Sequence, residues 1–184
     1  MRKPRKKTLK RSHRGLWRSL VVIAGLAALA IAIHILEAAF PSPMPGVKPG
    51  LANVITVVVY LRYGFRTAAW VAALRVLVGS LLIGTFLSPT FLLSATGAAV
   101  SLLVLGLVGR LGRPYIGAVG LSIAAALTHM SGQITVAYLL FIPHPAILSL
   151  APILLTAALV FGLVSGLIAA SVDRLLEPQT GASE

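Results

Sequence analysis

The chain has 184 residues, the length of one domain, yet 58% of it is hydrophobic, only 11% is charged, and it contains no cysteine. Its apolar residues come in blocks close to the roughly 20 residues that cross a hydrocarbon core, so composition excludes a soluble globular protein and predicts a polytopic membrane protein. The net charge of +12 does not imply nucleic acid, because nine of the sixteen Lys and Arg residues lie between Arg2 and Arg18, ahead of the first apolar block, where they act as a topology signal and attract anionic lipid.

The first helix is predicted from about Leu16 to Ala39, stopped by Pro41, with Trp17 at the interface. Its apolar run from Leu20 to Leu36 is longer than a signal-peptide core, and Ala38-Ala39-Phe40-Pro41 is a poor cleavage site, so it reads as a retained span. Ala24, Ala28 and Ala32 recur every four residues, a stripe of small side chains along which another helix could pack closely, inside this chain or on a partner. Residues 41 to 50 form a connection rich in Pro and Gly. A short second helix follows from about Leu51 to Leu61. The third is predicted from about Thr67 to Leu87 and the fourth from about Thr90 to Val108, after a Ser88-Pro89 turn. The fifth spans about Tyr115 to Phe141, ended by Pro143-His144-Pro145. The sixth spans about Ala146 to Ser171, with a kink expected at Pro152 and a frayed polar tail beyond.

Charge orients these six helices. An inside amino terminus puts Arg62, Arg66, Arg110, Arg113 and Arg174 on the cytoplasmic side and leaves only Lys48 in the outer loops, the pattern of a multi-pass protein with both termini in the cytoplasm. The domain reading is a basic cytoplasmic tail over 1–18, a six-helix transmembrane domain over 19–171 and a polar cytoplasmic tail over 172–184.

Polar side chains inside apolar runs are the candidate site. A charge at membrane depth costs about 2.5 to 3.5 kcal/mol on insertion scales, so Glu37 and Arg75 need a partner or a purpose. His34 and Glu37 share one side of the first helix, and His129 and Gln133 one side of the fifth. At about 1.5 Å per residue, Asn53 falls near the outer face and Arg75 near the midplane. His34, Glu37, Lys48, Asn53, Arg75, His129 and Gln133 are therefore expected to line or lid an outward polar cavity with Arg75 at its floor. Structural pairing of Arg75 with Glu37, or capping by Asn53, are the plainer alternatives.

The chemistry that is missing narrows the function. Asp173 is the only aspartate, so the aspartate clusters that hold magnesium on a diphosphate cannot be built. No phosphate-binding loop, His-rich metal motif or paired membrane carboxylate is present, and no catalytic residue, metal or cofactor is expected.

The segments E-x2-FPSPMPGVKPGLANVIT, LRVLVGSLLIGTF, SPTFLLSATGA and GAVGLSIAAALTHMSGQI resemble the bacterial membrane family called Gx transporter, also labelled heptaprenyl diphosphate synthase component I. The likeness runs from about Val21 to Ala170. It implies kinship with the substrate-binding S components of energy-coupling-factor transporters, six-helix proteins that work with a T component and two ATPases. In those proteins an alanine stripe on the first helix meets the T component, a role the resemblance gives to Ala24, Ala28 and Ala32. The expected function is thus a substrate-capturing subunit for a small molecule, driven by partner ATPase and T subunits. The alternative is a non-catalytic membrane subunit of a heptaprenyl diphosphate synthase or quinone-precursor complex, with the cytoplasmic arginines facing the catalytic partner.

Overall fold

The computed structural model describes residues 6–39, 51–112 and 115–175, and the regular structure within them is entirely helical. The helices are α1 (Lys6–Ala39), α2 (Leu51–Tyr63), α3 (Phe65–Ile83), α4 (Pro89–Leu111), α5 (Ala118–Val136), α6 (Ala146–Ser149) and α7 (Ala151–Leu175), and a π-helical turn carries α5 on to Phe141. Five of them, α1, α3, α4, α5 with its π turn, and α7, are long and apolar enough to cross a membrane. The protein is a multi-pass membrane protein, and α2, with 13 residues, is the one main helix below spanning length. The basic segment expected to precede the first helix is part of it from Lys6 onward.

Local chemistry sets the boundaries. Gly64, at φ 83°, is the single residue separating α2 from α3, a left-handed backbone that glycine adopts without a Cβ penalty. Gly84, at φ 76°, ends α3 at Ile83, four residues short of the expected Leu87, by turning its N–H back to carbonyls of the last turn. Ser88 then caps α4 by accepting the Phe91 N–H at 3.3 Å, with Pro89 in the first turn where no N–H is needed. Pro143 cannot continue α5, and the preceding Ile142 is forced out of helical geometry. The expected kink at Pro152 is instead a break: α6 is one turn, and α7 starts at Ala151 with Pro152 in its first turn.

The short α2 is the hub of the bundle. Val54, Val57, Val58, Val59 and Tyr60 are all buried, and the helix packs against α1, α3, α5 and α7. Around it α1 packs on α3, α3 on α4, α4 on α5, and α5 on α7. The α5–α7 contact is a backbone approach: a methyl group at Gly166 would come within 2.7 Å of Val119 Cα, and one at Gly162 within 3.1 Å of Ile123 Cα. Small residues four apart are what let membrane helices meet this closely. The outer surface carries Leu103, Leu107, Leu139 and Leu167 exposed, as hydrocarbon requires.

Three contacts tie one end together. The Tyr60 hydroxyl lies on Gly109, the Phe65 ring lies on Gly106, and Arg62 Nε donates to Asp173 Oδ1 at 2.5 Å while its Nη2 donates to the Asp173 carbonyl. The end of α7 through Leu175 is therefore helical and anchored, not the frayed tail expected from Asp173 onward. Arg62, Arg66, Arg110 and Arg174 all sit at this end.

Candidate functional site

A helix of 13 residues measures roughly 20 Å, against about 30 Å of hydrocarbon, so α2 fills the centre of the bundle over only part of its height. Where α2 stops, a cavity of about 450 Å³ lies between the α1–α3 half and the α4–α7 half. His34, Glu37, Asn53, Arg75, His129 and Gln133 all line it. Six polar residues from four helices, separated by as much as 99 positions of sequence, thus meet around one space.

The Asn53–Arg75 pair follows from the tight turn at Gly64. The two residues stand eleven before and eleven after that glycine, so the antiparallel hairpin sets them at the same level, and Arg75 Nη1 donates to Asn53 Oδ1 at 3.0 Å. Asn53 therefore lies level with Arg75 instead of nearer the outer face, because α2 starts part-way through the bundle. Arg75 is 6% exposed and Glu37 8%. Glu37 lies within electrostatic reach of Arg75, but the pair does not fill a solid interior, since both border the cavity.

Each histidine is seated on a glycine of a neighbouring helix. A methyl group at Gly79 of α3 would sit 2.9 Å from His34 Cδ2, and one at Gly97 of α4 would sit 2.8 Å from His129 Nε2. Only a missing side chain gives these rings room. His129 Nδ1 is buried and has no hydrogen-bond partner among the described residues, and Arg75 and His34 both act on this ring electrostatically, so the polar residues form one cluster.

The lining also includes Thr90 and Ser94 of α4, Ser122 of α5 and Ser165 of α7. Ser122 and Ser165 lie toward the arginine-rich end, only five residues after Gly117 and eight before Asp173, so the cavity continues past Arg75, which forms part of a wall and not the floor. Lys48, expected at the lid, falls outside the described residues. Ala24, Ala28 and Ala32 are exposed, whereas Ala27 and Ala30 supply the internal packing of α1 at 3% and 0% exposure. Among the described residues no group of three His, Cys, Asp or Glu side chains could hold a metal ion. One cation, one carboxylate, two imidazoles and two carboxamides beside an apolar surface can bind and orient a polar head group, and they offer neither a nucleophile with an adjacent base nor a carboxylate pair.

The model of the family described as heptaprenyl diphosphate synthase component I matches residues 26–172, most of the chain. The chain belongs to that family. The matched region takes in every residue that lines the cavity, and it ends at Val172, one residue before the Asp173 that anchors α7. Neither a curated protein nor a solved structure matches the chain.

Proposed function

We propose that the protein is a non-catalytic, ligand-binding membrane component, and that it serves the prenyl diphosphate synthase or quinone-precursor complex for which its family is named. The observation that carries the binding role is Arg75, a guanidinium held at the middle of an apolar bundle beside an open volume, where Asn53 Oδ1 accepts from its Nη1 and the Glu37 carboxylate acts on it electrostatically. An arginine kept at that depth at a cost of about 2.5 to 3.5 kcal/mol, on the border of an open volume, is most economically explained by a ligand whose polar head meets this cluster. The synthase association draws its support from the family description. The absence of aspartate clusters leaves the chemistry to a catalytic partner, for which Arg62, Arg66, Arg110 and Arg174 would present a basic cytoplasmic face. In this reading all six main helices are membrane-embedded and both termini are cytoplasmic.

A second reading, a substrate-capturing subunit of an energy-coupled transporter, is favoured by one observation. The Ala24-Ala28-Ala32 stripe is exposed and takes no part in internal packing, which leaves it available to a helix of a T component. Affinity purification of the tagged full chain from its native membrane separates the two: a soluble synthase subunit supports the first, ATPase and T subunits the second. For the binding role itself, native mass spectrometry of the purified protein should detect a retained small molecule that Arg75→Ala loses while still inserting. Retention unchanged in Arg75→Ala refutes the assignment of the cavity.

A further inference from the structure

We infer that the cavity takes a membrane-dissolved amphiphile, one hydrogen-bonding head joined to an apolar tail. This rests on the ligand-binding reading above and adds the class of ligand.

The class follows from two unlike walls. Helices α1, α2 and α3 contribute His34, Glu37, Asn53 and Arg75, while a second wall, α6 and the first half of α7, contributes Ile147, Leu150, Leu154, Ala158 and Phe161, with Ser165 further along α7. A ligand polar all round would press unpaired groups against the second wall, and one apolar all round would strip water from the first without replacing it. An amphiphile satisfies both. Among the described lining residues Arg75 is the one guanidinium and Glu37 the one carboxylate, so the matching head is uncharged or singly charged; several negative charges would lack compensation. The volume of about 450 Å³ is in the range of pockets that enclose most of a small organic molecule.

The test uses the full chain in lipid nanodiscs and a diazirine-bearing long-chain isoprenoid alcohol as the probe, with a short water-soluble diazirine alcohol for comparison. Photolabelled peptides are identified by mass spectrometry. The long-chain probe should label residues 150–161, where α6 passes into α7, and residues 126–137 of α5 and its π turn. Ala158→Phe, which adds a ring at a lining position, should reduce that labelling about fivefold or more, because the ring takes up volume the ligand tail needs. Leu163→Phe, on the lipid-facing side of α7, should leave it unchanged. If Ala158→Phe is not monodisperse, Leu154→Trp on the same wall serves instead and should reduce the labelling likewise. Labelling confined to lipid-facing side chains, equal labelling in wild type and Ala158→Phe, or preferential labelling by the short probe overturns the proposal. A polar molecule retained in native mass spectra with no cavity labelling keeps the binding function and sinks the amphiphile; loss of both sinks the binding function as well.

Discussion

Gly97→Ala isolates the seat of His129 from everything else in the cluster. An added methyl would stand 2.8 Å from Nε2 and 2.9 Å from both Cδ2 and Cε1 of the imidazole. Carbon contacts relax near 3.5 to 4.0 Å, so the ring must retreat by roughly an ångström. All three close atoms belong to the imidazole, the movable end of a side chain, whereas relief by the α4 backbone would have to part α4 from the α5 against which it packs. The ring therefore swings toward the cavity it borders. Overpacking of this kind costs about 1 to 3 kcal/mol, and replacing glycine by alanine inside a helix returns about 1 kcal/mol, leaving a net loss of about 0 to 2 kcal/mol. For a chain this size 1 kcal/mol moves Tm by about 2 to 4 °C, within reach of tryptophan-fluorescence unfolding in detergent. Ligand retention should fall more than stability does, since the displaced ring occupies the space the ligand needs. In Gly97→Ala/His129→Ala the methyl meets nothing, and the coupling between the two changes should be about 1 kcal/mol or more. Additive effects in that double mutant, or full ligand retention in Gly97→Ala, refute the reasoning.

Asn53→Leu removes the acceptor of a buried guanidinium and should lower stability by about 1.5 to 3 kcal/mol, whereas Asn53→Asp keeps an acceptor and should lose less. Equal Tm values for the two variants would show that Asn53 does not hold Arg75. Asp173→Asn weakens a pair whose side chains are 24% and 30% exposed, so the loss should stay near or below about 1 kcal/mol and shrink in high salt; a larger, salt-independent loss means the anchor is not electrostatic. Replacing Ala24, Ala28 and Ala32 together by Leu should change Tm by no more than about 0.5 kcal/mol equivalent, because the stripe is exposed. The same variant should fail to co-purify a helical partner if the transporter reading holds, and a retained partner would leave the stripe facing lipid alone.

Single polar residues in apolar runs were legible because hydrocarbon makes each of them expensive. Glu37, Arg75 and His129 could be picked out one by one, and turn geometry then explains why they meet. Serines were not legible for the opposite reason: a serine in a membrane helix can satisfy itself. Ser131 bonds back to the Leu127 carbonyl at 2.8 Å on the surface, while Ser122 has no partner and lines the cavity, and nothing in the sequence around them separates the two. The level of Asn53 was misplaced because a sequence pattern gives a helix its length but not its starting height, which is set here by α2 hanging from the turn at Gly64. Arg62 and Asp173 lie 111 residues apart, and no periodicity connects them. The end of α3 at Ile83 depended on Gly84 taking a left-handed conformation, which competed with an apolar run that continued through Leu87.

The brevity of α2 also bears on how the chain enters the bilayer during synthesis. Thirteen residues cannot partition as an independent span, and α3 alone would carry an unaccompanied arginine into hydrocarbon. Joined at Gly64, each supplies what the other lacks: α3 the reach, α2 the carboxamide that meets the guanidinium. The two helices therefore make one unit of insertion, and a nascent chain arrested before Arg75 has emerged should leave α2 outside the membrane.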